Sequence, residues 1–512
     1  MKRLIAIFLV SAPLFLFSGC GLLDVRSDEK LSGYEMWDGA DVEYVEGFVR
    51  SMYAQFRTAV MQKSNFLVYS GDFRCAPITP TTNDNNLKAA LTDLTNNDMN
   101  GLRSIYKNSG DAHADGIMQW QNFYKVIQSA DILLNEIERS SVTSNQAESF
   151  KDEAIFMRCL SYFFLVRNFG DVPYYTEAYN QASLPRTNMV TVLKNISADL
   201  EGILAADPNA EILPWTNASA TKKAVRASRG SVIVLLMHVN MWLAGFDELN
   251  AQAYYRKVVD YGQQLVENNG GTYRLLPIGQ TATIFKGGSD EGIFEIVQNI
   301  SYSSGNEVFS FDAVYSNYVI GKTVFTSQSM PKVEYSTEFL QSIYPPGQAD
   351  KRVDLWFDKN IYSTFEKDSR EMLKFLNADT YDGSSVTSNA GNQIIFRFAD
   401  AILLYAEALA DLGTDDTKAC ALLNDIRTRA GAPSVTASGQ ELQDAIYWER
   451  VRELMGEGQY YYDLVRTKKI CDSKYCYHPI TRSDFNNGAW TWPISKVAQQ
   501  NNTQIGLNNF WE

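Results

Sequence analysis

Apolar residues recur along this chain at three- and four-residue steps, the spacing that gathers them on one face of an α-helix. Trp120, Tyr124, Ile127, Leu134 and Ile137 form one such stripe. Ala147 to Phe169 repeats the pattern and stops at Gly170-Asp171-Val172-Pro173, where glycine and proline end helices. Leu193, Ile196, Leu200 and Ile203 make a third stripe, Val232 to Leu243 a fourth, and Tyr254 to Val266 reads as its return helix. Near the C-terminus, Phe398, Ile402, Tyr405, Leu409 and Leu412 precede a stop at Gly413, and Ala419 to Ala430 ends at Gly431 and Pro433. Ser438-x-x-Glu441 offers a capping box for a helix reaching about Gly456. Helices in pairs of about 35 to 45 residues predict a mainly α fold, a tetratricopeptide-like helical-repeat scaffold without the strict repeat signature.

Two stretches break the pattern. Residues 70–118 are rich in Asn, Thr, Asp and Gly, and residues 301–392 mix Ser, Tyr, Phe, Gly and Pro without a sustained period. Long irregular insertions cost ordering entropy without building core, so they are expected to form the ligand-binding face. The predicted organisation is a leader at 1–19, a polar tether at 20–42, scaffold at 43–300 with the excursion 70–118, the insertion 301–392, and a C-terminal helical block at 393–512.

The leader has Lys2 and Arg3, then an apolar run from Leu4 to Phe17, then Ser18-Gly19-Cys20. That is a secretory signal, and the small-small-Cys ending resembles a bacterial lipobox with Cys20 as the lipidated residue. Phe17 stands where Leu is usual. The run is shorter than the ~18 to 20 residues a membrane span requires, and no later segment is read as one. The mature chain is expected to touch the membrane through its lipid only. The 512 residues carry 46 basic and 60 acidic side chains, a net charge of -14, which repels phosphate backbones and excludes nucleic acid as a partner.

Chemistry is sparse. The three histidines, at 113, 238 and 478, are scattered and no Cys-x-x-Cys occurs, so neither a metal site nor a cofactor is expected. Cys75, Cys159 and Cys420 read as buried small hydrophobes. Cys471 and Cys476, in CDSKYC, are placed either to close a small disulfide loop or to stay free. Glu449, Glu453 and Glu457 share one helical face, and paired carboxylates serve glycoside hydrolysis. Interleaved Arg450, Arg452 and Arg466 would instead hold them ionised, a structural ion network, and Glu153 with Arg158 reads the same way. No nucleophile elbow, phosphate loop or His-Glu-x-x-His is present, so no catalytic residue is assigned.

Five blocks in order resemble the SusD/RagB family of outer-membrane lipoproteins: WQNFYKVIQSADILL, DEAIFMRCLSYFFLVRNFGDVPYYT, Arg186 with SADLEGI, IIFRFADAILLYAEALADLG with LNDIRTRAGAP, and ERVRELMGEGQYYYDLVRTKK. The motif positions are met by Arg397, Glu407, Asn424, Arg427, Arg429, Gly431, Glu449, Arg450, Glu453, Glu457 and Gly458, with Asp131 in place of the usual Asn and Asp400 of the usual Glu. The resemblance implies a lipid-anchored, cell-surface protein of the outer membrane. It would capture an oligosaccharide or polysaccharide and deliver it to a TonB-dependent channel of the SusC kind. It also directs attention to Asp72, Arg74, Tyr106 and His113 in the first excursion. In the second, Tyr302, Phe311, Tyr315 and Tyr318 supply flat apolar faces of the kind on which pyranose rings stack. A peptide-binding protein like RagB, or a helical scaffold for protein partners, is the second reading, and an exported hydrolase the third. Trp120, Trp490 and Trp492 are assigned to the scaffold.

Overall fold

A computed structural model of the protein describes residues 35–61, 66–81, 85–107, 115–216, 223–297, 333–357, 360–362, 372–375, 379–380, 387–388 and 391–512. The framework consists of helices α1 (Val42–Val60), α2 (Gln121–Glu136), α3 (Ser144–Phe169), α4 (Met189–Ala206), α5 (Arg229–Phe246), α6 (Ala251–Gly262), α7 (Phe398–Leu412), α8 (Asp416–Arg429), α9 (Gly439–Glu453) and α10 (Tyr460–Arg466). Packing follows chain order. Each helix from α2 to α6 lies against the next, α6 meets α7, α7 packs on α8 and α9, and α1 covers α2 and α3. Neighbour-on-neighbour stacking is the geometry of a tetratricopeptide-like scaffold, since one helix pair cannot bury its apolar face alone.

The stripes read from the sequence fall on these helices, with Trp120 just before α2, Ile137 just after it and Val266 in the π-helical turn after α6. On α4 the buried apolar set is Met189, Val192, Leu193, Ile196, Leu200 and Ile203, one face of the helix. Long runs of other helices are buried all round instead: Phe156 to Phe169 of α3, Gly230 to Ala244 of α5 and Phe398 to Ala410 of α7. Helix α5 is long and apolar enough to cross a membrane, which corrects the expectation that no segment beyond the leader qualifies. In this fold that apolarity serves the core, because α4, α6 and α7 enclose it.

Local signals explain the helix ends. Reciprocal capping boxes start α3, with Thr143 and Gln146, and α5, with Ser228 and Ser231. Helix α9 begins where Ser438 predicted, but Ser438 makes no side-chain cap bond. The amide of Gly439 donates instead to Asp416 Oδ2 at 2.8 Å, so the start of α8 caps α9. Gly413 stops α7 in the left-handed region at φ 62°. Close approach constrains Gly262, where a Cβ would lie 2.4 Å from the Tyr405 ring.

The two stretches expected to be irregular contain short elements. Helices Asn85–Thr95 and Met99–Lys107 bury Leu91, Leu94 and Leu102, and turn at Asn97, whose φ is 50°. Asp98 Oδ1 then accepts from the amides of Asn100 and Gly101. In the second stretch, strand Val333–Tyr335 leads into helix Thr337–Ile343, capped by Ser336, and Asp350 caps helix Lys351–Trp356. Elements this short show too few periods to stand out from their polar surroundings.

Charge organises the core beneath α9. Glu449 pairs with Arg352 at 2.7 Å, Arg427 at 2.8 Å and Arg452 at 2.9 Å. Glu453 lies between Arg352, Arg397 and Arg429. Arg397 also reaches Glu457 at 2.6 Å and Glu291 at 2.7 Å. The ammonium of Lys374 donates to Glu457 at 2.6 Å, to the carbonyl of Glu453, an orphan acceptor at the end of α9, and to that of Met455 just beyond it. On the other face of α9, Arg450 joins Asp400 and Asp463, and Arg466 joins Asp463 and Glu407. The network expected from α9 is present, and most partners of its glutamates come from distant elements. Glu153 and Arg158 do not pair with each other. Glu153 meets Arg226 and Tyr53, while Arg158 meets Asp131 and Asp199.

A second tie joins the first excursion to the tail. Residues Tyr69–Phe73 form a π-helical turn, and a Cβ on Gly71 would fall 2.3 Å from the carbonyl oxygen of Gly458. In the same contact Asp72 Oδ2 accepts from the Gly458 amide at 2.7 Å. Arg74, fully buried, donates to the carbonyls of Ala489, Trp490 and Thr491, and its guanidinium lies between the rings of Tyr461 and Trp492. Asp72 and Arg74 therefore belong to the interior and not to a ligand surface. Burial raises the Asp72 carboxyl well above its usual range, and every guanidinium nitrogen of Arg74 is spent on a protein acceptor.

Two outcomes follow. Burial works against ionisation of Glu449, but Arg352, Arg452 and Arg427 outweigh it and hold its pKa down at about 2, against 4.5 for an ordinary glutamate. A depressed carboxylate stabilises the fold above its unfolded pKa and loses that contribution as pH falls through the folded value. Glu449→Gln is therefore expected to destabilise by about 3 kcal/mol near neutrality, with the difference closing between pH 4.5 and pH 2; urea midpoints across that range measure it. Arg74→Met is expected to cost on the order of 3 kcal/mol, because three backbone carbonyls lose a charged donor. An unchanged unfolding midpoint would refute the role of Arg74 as a tie.

Candidate functional site

The catalytic reading of the glutamate row has no chemical room. Glu449 and Glu453 are held below the usual carboxylate range by the arginines around them, once burial has been overcome, so neither carries a proton to donate near neutrality. His238 is buried, which lowers its pKa, and its Nε2 lies 2.7 Å from Asp400 Oδ2. Asp400, despite burial, is held low by His238 and Arg450, so the neutral ring donates to the carboxylate. Among the described residues no cluster of three or more His, Cys, Asp or Glu side chains has the proximity to hold a metal ion.

The two loop-rich stretches meet. Strand Ile78–Pro80 pairs antiparallel with Val333–Tyr335, and the Ser336 amide donates to the Pro77 carbonyl at 2.8 Å. Beside this junction Tyr335 stacks on Phe339, and Phe339 meets Tyr477 edge-on. Tyr477 is 49% exposed, an aromatic face presented to solvent that the sequence reading did not single out. Of the residues expected at the ligand face, Asp72 and Arg74 lie inside. Tyr106 belongs to helix Met99–Lys107, but its side chain lies outside the described set. His113, Tyr302, Phe311, Tyr315 and Tyr318, and the lipidation candidate Cys20, lie outside the described residues. The junction thus brings together the stems of both segments that carry these candidates.

A second feature lies on the scaffold itself. A cleft of about 450 Å³ opens between the start of α2, the segment after Pro173 and the helix Lys496–Asn501. Trp120, Tyr124, Tyr175, Gln181, Asn501 and Asn502 are among its walls, and no charged side chain lines it. The rings of Tyr124 and Tyr175 lie nearly parallel, 16° apart in plane with centroids 6.0 Å apart. Tyr124 donates to the Pro173 carbonyl and Asn502 to the Leu184 carbonyl, fixing both walls. Arg186 fastens the same segment to the tail by donating to the carbonyls of Asp171, Phe169 and Gly506 and to Asn508 Oδ1. Burial lowers the pKa of Arg186, and these four acceptors meet its charge. Gln181 and Asn501 are exposed at the rim, and Val497 is 64% exposed. Trp120 belongs to the scaffold, as expected, packing edge-on against Tyr124 and Phe169. The available signal for the cleft was PYYTEAYNQAS, aromatic and carboxamide residues directly after a Gly-Pro stop. Pairing that segment with the tail more than 300 residues away is invisible to periodicity.

Comparison with known proteins settles the kinship. A model of the SusD family matches residues 352–511, and a model described as starch-binding and associating with the outer membrane matches residues 39–232. SusD-like protein P38 of Formosa agariphila is 24% identical over 505 residues, 92% of each chain. A laminarin-binding SusD-like protein of known structure, 21% identical, aligns over 92% of this chain and 99% of its own with a TM-score of 0.67. A SusD homologue from Bacteroides thetaiotaomicron is 52% identical and superposes over 93% of this chain and all of its own with a TM-score of 0.86. With that identity sustained along the fold, the chain belongs to the SusD family.

Proposed function

We propose that this protein is a cell-surface glycan-binding lipoprotein, anchored to the outer membrane through Cys20 after removal of residues 1–19. In this reading it captures an oligosaccharide or polysaccharide and hands it to a SusC-like TonB-dependent channel. The observation that carries the reading is the match of residues 39–232 to a family described as starch-binding and associating with the outer membrane. That region contains the first loop excursion and much of the cleft wall. The laminarin-binding relative of the same fold points the same way. The chemistry agrees: exposed aromatic faces take the C–H patches of a pyranose, and carboxamides both give and accept hydrogen bonds with its hydroxyls. The carboxylates under α9, ionised and enclosed, serve architecture, and the protein binds without turnover. Delivery favours modest affinity, micromolar to millimolar, or roughly -8 to -4 kcal/mol.

Affinity electrophoresis of residues 21–512 through gels containing plant, host and microbial polysaccharides tests this. Retardation by one glycan is expected, weakened about tenfold, on the order of 1.4 kcal/mol, by alanine at Tyr302, Tyr315 or Tyr318 if the loop face binds. The same loss from Tyr175→Ala with Asn501→Ala would place binding in the cleft. Mobility unchanged across the whole panel would overturn the glycan reading in favour of peptide capture, the mode of RagB. Purification of the full lipoprotein from membranes is expected to bring an outer-membrane channel with it, and recovery of the lipoprotein alone would remove the delivery step.

A further inference from the structure

The walls of the cleft on the scaffold hold one another in place without a ligand. The Ser495 amide donates to the Met118 carbonyl at 3.2 Å, tying the start of helix Lys496–Asn501 to the approach to α2. Beyond the other end of that helix, Asn502 donates to the Leu184 carbonyl at 2.8 Å and Gln504 to the Ser183 carbonyl at 2.6 Å. On the third wall the Tyr162 hydroxyl donates to the Tyr175 carbonyl at 2.8 Å and accepts from the Tyr175 amide at 3.0 Å. Three segments remote in sequence are locked around one opening, and a site formed in advance loses little freedom when a ligand enters. Its volume of about 450 Å³ lies within the roughly 300–1,000 Å³ of small-molecule clefts.

The lining is polar without being charged. The carboxamides of Gln181 and Asn501 stand exposed at the rim, and neither has a hydrogen-bond partner among the described residues. Each offers an acceptor and an amino group with two protons to donate. Burial, first, pushes the half-buried phenol of Tyr175 up to about 12, so it stays an uncharged donor. Leu184, Val497 and Ile505 supply apolar surface between these groups. The nearby guanidinium of Arg186 is no counter-charge for a ligand, because four protein acceptors occupy it.

We infer that this cleft is a binding site in its own right, which takes a short uncharged stretch of a glycan and refuses units carrying a carboxylate or a sulfate. The inference rests on the glycan reading given above and narrows it. A pyranose lays its C–H face on Tyr175 and the apolar wall while its hydroxyls exchange hydrogen bonds with Gln181 and Asn501. A uronate or a sulfated sugar sheds part of its hydration on entering and meets no cation in return. The chain's net charge of -14 opposes its approach as well.

The test runs residues 21–512 through gels containing neutral polymers, namely glucan, mannan and galactan, and acidic ones, namely polygalacturonate, alginate and a sulfated galactan. Gln181→Ala combined with Asn501→Ala alters exposed rim side chains only, so the fold is kept. That variant is expected to weaken retardation by a neutral glycan about tenfold, while acidic polymers leave the wild type unretarded. Asn501→Lys is expected to bring retardation by an acidic polymer that Gln252→Lys, the same charge at an exposed position on α6, does not bring. Retardation by a neutral glycan that survives undiminished in the double-alanine variant would overturn the cleft as a site and leave the glycan reading standing. Wild-type retardation by an acidic polymer, lost in the double-alanine variant, would overturn the selectivity. Free migration of the wild type through all six polymers would overturn the glycan reading itself, and the cleft inference with it.

Discussion

Burying a carboxylate is tolerable only where cations surround it, and the architecture of this protein is arranged around one such demand. Glu453 is 1% exposed and faces Arg352, Arg397 and Arg429. Those arginines arrive from a short helix in the second insertion, from the strand that feeds α7, and from the end of α8. None can be satisfied until its own element has docked, so the charge network acts as a check on assembly as much as a source of attraction. Hydrophobic contact would tolerate a slide of one helix along another; a buried bidentate arginine does not. Arg397 shows the consequence. It holds Glu291, Glu453 and Glu457 together, and the pairing of Gly292–Ile296 with Gln393–Arg397 brings Glu291 to that position.

How far the sequence made this legible follows from what its patterns encode. Stripes at helical period identified the scaffold because α4 and α7 each had a stop or cap at the end, as at Gly413. The acidic row on α9 was correctly taken for an ion network, since its own arginines argued against free acids. Its chief partners, Arg352, Arg427 and Arg429, lie on other elements, and no spacing rule connects them to Glu449 or Glu453. Asp72 and Arg74 misled for a related reason. Polar residues beside an Asn- and Gly-rich run resemble a surface loop, yet here they supply hydrogen bonds that the Gly458 amide and the carbonyls of 489–491 require in the interior. Ser438 marked the right place to begin a helix, although the cap came from Asp416, which only tertiary packing could supply.

Of the candidate site, the described residues bear on the two stretches that carry it and not on its aromatic residues, which lie outside them. Two irregular stretches were read as the ligand face, and the strands at 78–80 and 333–335, more than 200 residues apart, pair one stretch with the other. The cleft against the tail was missed. Its walls come from a loop whose helical period has just ended and from the last turns of the chain, so each half alone looks like ordinary surface. Arg186, singled out in the sequence, leads to it, because its guanidinium joins those two halves.

A protein that captures and releases cargo needs two properties that conflict in a single element: a frame that holds its shape and a face that admits many chemistries. Here they are assigned to different parts of the chain. The frame keeps the carboxylates of Glu449 and Glu453 enclosed among arginines, so neither is available to a ligand. The carboxamide-lined cleft contributes no charge to that enclosed network, so its residues can vary without disturbing Glu453 or Arg397. A ligand surface built this way changes specificity at little cost in stability. The buried tie at Arg74 fastens the first excursion to the fixed frame at the tail.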